Sequence, residues 1–220
     1  MNHPSNPLKA ATALSRRKML GLGSAMFLSG CSGILPGQGP PPALYRLTPK
    51  STFRPDLPEV DWQLVVETPV SNASLNTTRI ALQRSAIQIE YYSGAGWIDR
   101  APAMLQTLMV ESFENSRRIV AVGRENVGLR ADLVLKVELR EFEAIYVNGT
   151  IPEVIVTLIL KLVEIPRRAI IGAERISAQV TAEAEGLTSV IDAFDVALGK
   201  VLKRSVEWTL LTGERNWQER

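Results

Sequence analysis

The strongest alternation of apolar and polar positions lies in two neighbouring stretches. In Asp132–Arg140, Leu133, Leu135, Val137 and Leu139 alternate with Asp132, Val134, Lys136, Glu138 and Arg140. Residues 154–162 repeat the pattern through Val154, Val156, Leu158, Leu160 and Leu162. A period of two reads as a half-buried strand. Asn148-Gly149 lies between the two, and such a pair suits the positive φ of a tight hairpin reversal. Pro166-Arg167-Arg168 predicts a further turn, and Ala173–Ala184 then returns as a third strand of a meander. Upstream, Ala43–Thr48, Trp62–Glu67, Thr78–Leu82, Ala86–Tyr92 and Ile119–Val122 read as shorter strands, the second stopped by Pro69. In Ala86–Tyr92, Ile87, Ile89 and Tyr91 alternate with Gln88, Glu90 and Tyr92, again the half-buried pattern. Ser93-Gly94-Ala95-Gly96 is expected to turn the chain afterwards.

Two segments carry helical spacing instead. Asp99 can cap a helix with Pro102 in its first turn, followed by Leu105, Leu108, Met109 and Phe113. Arg117 and Arg118 stand at its end, where cations suit the dipole. The second helix is expected from about Thr188 to Trp208, with Val190, Ile191, Phe194, Ala197, Leu198, Val201 and Leu202 as its apolar stripe and Trp208 as a further candidate. Gly213–Arg220 reads as a polar tail. Together these elements predict an α+β, two-layer domain: a mixed, largely antiparallel sheet with two main amphipathic helices on one face. On the other face Ile155, Ile159 and Val163 leave an apolar surplus. Two readings of that surplus stand, a partner or neighbouring copy and a covering loop.

The N-terminus follows a different logic. Arg16, Arg17 and Lys18 precede a short apolar run, Met19–Leu28, which ends in Leu28-Ser29-Gly30-Cys31. A basic block, a short apolar stretch and small residues define a secretory signal. The run is too short for a spanning helix, which needs about 20 apolar residues. Leu28-Ser29-Gly30-Cys31 resembles the lipobox of bacterial lipoproteins. That resemblance implies acylation of the Cys31 thiol, cleavage before it, and acylation of the new amine. Buried acyl chain contributes about 0.8 kcal/mol per CH₂, and one chain binds only marginally, so two or three chains would anchor durably. Ser15-Arg16-Arg17-Lys18-Met19-Leu20 also resembles a twin-arginine export motif, although basic pairs are ordinary in any such signal. Ser32 follows the cysteine. In Gram-negative lipoproteins an Asp there favours the inner membrane, so Ser32 points to the periplasmic face of the outer membrane. Residues 1–30 thus form the signal, 31–42 a lipidated N-terminus and Gly/Pro linker, 43–210 the domain and 211–220 the tail.

Removing the signal changes the composition. The chain has 25 basic and 23 acidic residues, but Lys9, Arg16, Arg17 and Lys18 lie in residues 1–30, which hold no acid. The remainder is slightly acidic, which withdraws a charge-based argument for a nucleic-acid partner. The only histidine is His3 and the only cysteine is Cys31. Beyond the signal there is no imidazole and no thiol free of lipid. The usual zinc ligand sets and the Ser-His-Asp and Cys-His nucleophile systems are therefore excluded, and neither a cofactor nor enzymatic activity is expected.

The remaining chemistry-like patterns have bland readings. Gly94-Ala95-Gly96-Trp97 lacks the rest of a dinucleotide fingerprint. Asp192/Asp195 and Glu183/Glu185 are paired carboxylates that suit solvent as well as acid–base work. Arg117-Arg118 and Arg167-Arg168 fit a helix end and a turn, or contact with anionic lipid or an acidic partner.

Element order carries one further resemblance. The lipobox is followed by Tyr45-Arg46-Leu47, Arg79-Ile80-Ala81, Tyr91-Tyr92 and Trp97. The Leu105/Leu108 helix, the Ala131-Asp132 strand and the final amphipathic helix complete the order. This resembles the ABC-type transport auxiliary lipoprotein family, which includes the paraquat-inducible lipoprotein C group, over residues 43–210. The resemblance implies a non-enzymatic auxiliary component of an MCE-type system, which moves lipids or other hydrophobic molecules across the envelope. It implies an MCE-domain protein as partner, accommodates homo-oligomeric ring assembly, and supplies no catalytic residues. The competing expectation is an assembly or pilotin-like lipoprotein that stabilises an outer-membrane protein.

Overall fold

A computed structural model describes residues 41–125, 130–146, 149–165 and 167–219. The signal, Cys31, Ser32, most of the linker and the Val147-Asn148 part of the hairpin lie outside them. The described chain forms a nine-stranded mixed sheet with two helices, an α+β architecture.

Its spine is β7 (Leu133–Ile145), which pairs antiparallel with β8 (Glu153–Glu164); β8 pairs in turn with β9 (Ala169–Thr181). This is the expected meander, and its inward rows are the alternating leucines and valines. Leu135 faces Leu162, Val137 faces Leu160 and Leu139 faces Leu158, and all six are buried. Gly149 has φ +137°, a backbone state that favours glycine at the hairpin.

The other edge of β7 is covered in pieces. β2 (Leu64–Val66), β3 (Val70–Ser71) and β4 (Arg79–Ser85) lie along it in succession, each parallel to it. The chain is broken between β2 and β3 by Pro69, which cannot donate to a ladder. Between β3 and β4 an Asn72 turn intervenes, in which Asn72 Oδ1 accepts from the Leu75 N–H at 3.0 Å and the Ser74 hydroxyl at 2.6 Å. Beyond β4 lie β5 (Gln88–Trp97) and β1 (Ala43–Tyr45), and beyond β2 lies β6 (Val122–Arg124). The long pairings are antiparallel and the short ones parallel. Ile119, expected to begin a strand, makes only a bridge to Val60.

Helices α1 (Ala101–Ser116) and α2 (Leu187–Gln218) cover one face. Pro102 sits in the first turn of α1 as expected, but Asp99 does not cap it. The N-cap is Arg100, and Asp99 Oδ1 accepts the adjacent Arg100 N–H at 2.6 Å. The second helix is longer than its apolar stripe suggests. Residues 211–218, expected as a polar tail, continue α2, and Gly213 is buried against Trp62 and Leu133. The core centres on Trp97, Phe142 and Phe194, whose ring centroids lie 5.0–5.4 Å apart.

The opposite face is mixed. Val163 joins Val65 and Val134 in a small second cluster, whereas Ile155 and Ile159 stay half-buried. Around them Lys136 pairs with Glu67 at 2.7 Å, Arg140 with Glu138 at 2.9 Å and Arg175 with Glu141 at 3.3 Å. The inward row expected in Ala86–Tyr92 holds only in part: Ile87 is 97% exposed in the β4–β5 turn and Ile89 38% exposed, whereas Tyr91 packs against the core. Ile87 and Ile89 lie at the turn end of the β4–β5 hairpin.

Candidate functional site

Leu28, Ser29, Gly30, Cys31 and Ser32 lie outside the described residues. Each chemistry-like motif of the domain can be placed among the described residues.

Ser93-Gly94-Ala95-Gly96 does not turn the chain; it is the distorted second half of β5. Pairing with β4 jumps from Ala81↔Tyr91 to Arg79↔Gly96. Gly94 has φ +67°, and a Cβ on Gly96 would stand 2.9 Å from the Thr78 carbonyl. The Trp97 N–H donates to that carbonyl at 2.7 Å. The glycines let the strand buckle and press close, and the buckle delivers Trp97 to the core.

The paired carboxylates do not act as pairs. Asp195 accepts the Thr48 N–H at 2.6 Å and the Thr48 hydroxyl at 2.8 Å through its other oxygen, while Asp192 is exposed. Glu185 accepts the Thr150 hydroxyl, and Glu183 is exposed. Arg117 ends α1 in the left-handed region at φ 56°. Arg118 reaches Glu59 at 3.0 Å and the Pro55 carbonyl at 2.8 Å. Arg167 pairs with the buried Glu164 at 3.7 Å. Among the described residues no three of His, Cys, Asp and Glu are grouped to hold a metal.

Several of these contacts share a purpose that sequence reasoning missed. The extended segment 47–59 is clasped to both helices. Thr48 is held by Asp195 of α2, and the Lys50 N–H donates to the Ser112 hydroxyl of α1 at 2.9 Å. Asn115 of α1 donates to the Lys50 carbonyl at 3.2 Å, and the Arg54 N–H to Glu207 of α2 at 3.1 Å. Leu47 and Leu57 are buried beneath. No local motif announces such a clasp, because its partners are 62 to 153 residues apart.

Two concave places flank this framework. One, of about 410 Å³, opens between the clasped segment and α1, lined by Arg46, Pro49, Ile98, Met104, Leu108 and Glu111. The other, about 470 Å³, runs between β9 and α2 along Ser177, Gln179, Lys200, Lys203, Arg204 and Glu207. The i, i+3, i+4 spacing of Lys200, Lys203 and Arg204 was the available sequence signal for a cationic helix flank. Among the described residues no helix is long and apolar enough to cross a membrane.

A family profile described as ABC-type transport auxiliary lipoprotein component matches residues 45–214. The crystal structure of protein XCC0632 from Xanthomonas campestris is similar at 30% identity and a TM-score of 0.77, covering 80% of this chain and 99% of that one. An uncharacterized protein of solved structure shares the fold at 15% identity and a TM-score of 0.56, covering 81% of this chain and 99% of that one. No curated protein matches. The profile spans more than half of the chain, from β1 into the last turns of α2, and the chain belongs to the family of auxiliary lipoprotein components of ABC-type transport.

Proposed function

We infer that this chain is an outer-membrane lipoprotein, anchored through Cys31 and facing the periplasm, which serves as a non-enzymatic auxiliary component of an MCE-type transporter of lipids or other hydrophobic molecules. The observation that carries the reading is the family match over residues 45–214. Leu28-Ser29-Gly30-Cys31 supports the anchor and Ser32 the outer-membrane destination. The clasp supports a stiff adaptor, since it fastens the segment following the linker to both helices. Asp195 is engaged in the clasp, Glu185 with Thr150, and Gly94 and Gly96 in strand packing.

The test is co-purification from mild-detergent extracts of cells that express this chain together with an MCE-domain protein. Recovery of the MCE protein with wild-type chain is expected; its consistent absence overturns the MCE assignment. Copurification of an outer-membrane protein in its place, with loss of that protein on deletion, would establish the pilotin-like reading. The anchor is tested separately: Cys31→Ala abolishes metabolic palmitate labelling, and labelling that persists shows the lipid to be elsewhere.

A further inference from the structure

We propose that the free edge of β9, flanked by the cationic side of α2, receives an extended acidic segment of a partner protein as an additional strand. The inference is independent of the transport reading.

β9 is thirteen residues long and has β8 as its only strand partner among the described residues. The phase of its hydrogen bonding is fixed by two contacts. The Ala182 N–H donates to the Pro152 carbonyl of the β8 side at 3.0 Å, so the even-numbered residues of the adjoining ladder face β8. The Ser177 carbonyl instead accepts from Arg204 Nη1 at 3.2 Å, on the open side. Alternation then turns the N–H and C=O groups of Arg175, Ser177, Gln179 and Thr181 to the free edge. Such a row is a template for strand addition.

Charge selects the occupant. An added strand would present alternate side chains to the helix side of the sheet, where Lys200, Lys203 and Arg204 line the groove against one acid, Glu207. Glu207 is already engaged by the Arg54 N–H and by Lys203. Carboxylates at every second position of the incoming segment fit this face. A second copy fits poorly. Antiparallel pairing of two β9 edges keeps both helix faces on the same side and brings two cationic flanks together. The short edge strands β1 (Ala43–Tyr45), β3 (Val70–Ser71) and β6 (Val122–Arg124) contain no carboxylate.

The experiment uses the full-length chain in detergent and three fluorescent peptides of equal length. One has Glu alternating with Val, one has the same composition with Glu in a block, and one has Lys alternating with Val. The alternating acidic peptide is expected to bind at least tenfold more tightly than the other two, more weakly as salt rises. It should protect the Arg175, Ser177 and Gln179 amides from hydrogen exchange. Gln179→Pro removes one edge donor without touching the β8 ladder, and Lys200→Glu/Arg204→Glu reverses the flank. Each should weaken binding at least tenfold while thermal unfolding of the chain remains cooperative. No binding at millimolar peptide, equal binding of the blocked peptide, or protection away from β9 overturns the proposal. So does a β9-mediated dimer detected by sedimentation.

Discussion

Glu143 is an acid set into the face of a sheet, 7% exposed beside Gln83 and Glu141. Burial raises its pKa above the ordinary carboxylate value, the Gln83 hydrogen bond opposes the shift, and Glu141 adds to it. A raised folded-state pKa means that the native chain holds this proton more tightly than the unfolded chain. The associated stability is present in full below the unfolded value and is lost as pH rises through the folded one. Glu143→Gln should therefore raise the melting temperature at pH 8 and change it little at pH 4, as followed by circular dichroism. Thr209 presents a simpler account. Its hydroxyl is buried and makes no hydrogen bond among the described residues. Thr209→Val keeps the shape and removes a stranded polar group, so chemical denaturation should show stability unchanged or increased by about 1 kcal/mol.

The elements show where physical signals in a sequence reach and where they stop. β7 and β8 were legible because their core-facing leucines and valines recur at every second residue, whereas β9, in which Ile176 alone is fully buried, was expected from Ala173 and begins at Ala169. Both helices were legible from their apolar stripes. The last turns of α2, beyond the expected end at Trp208, were not, although the buried row continues through Thr209, Leu210 and Gly213. Thr209 and Gly213 are not apolar side chains, so hydrophobic periodicity is blind to them, and Leu210 alone is too little to extend the stripe. The stacking of β2, β3 and β4 along one edge of β7 was likewise hidden, since nonlocal register leaves no mark in a short strand. Of the candidate site, the proposed lipobox rests on a contiguous motif, whereas the clasp and the β9 groove exist only after folding. Gly213 gives a direct check of the helix end. A Cβ there would stand 2.6 Å from the Trp62 ring and 3.0 Å from Leu133 Cδ1, so Gly213→Ala should destabilise the domain by about 1–3 kcal/mol in chemical denaturation. In an unattached tail the same substitution would be silent.

At the scale of the molecule, the extended segment 47–59 belongs to the folded unit although it contributes no strand. Asp195→Ala removes the acceptor for both Thr48 donors. It should speed hydrogen exchange in residues 46–51 while the β7–β8 amides keep their protection, which mass spectrometry of peptic fragments can resolve. An unchanged rate in 46–51 would show that the Ser112 and Asn115 contacts of Lys50 and the burial of Leu47 hold the segment without Asp195.

The clasp also determines how the molecule would carry a load. If Cys31 tethers the chain to a membrane and a partner is pulled across the periplasm, tension enters the fold at β1. The chain there runs parallel to β5, and the first fastenings beyond it are the Asp195, Ser112 and Glu207 contacts, spread over both helices. Force is thus divided among several anchorage points before it reaches the β7 spine, as rope is turned around successive cleats. Stretched from its N-terminus, the domain should yield first by releasing residues 43–59, β1 included, as a slack leader, leaving the other eight strands and both helices intact as a mechanical fuse that extends before it breaks.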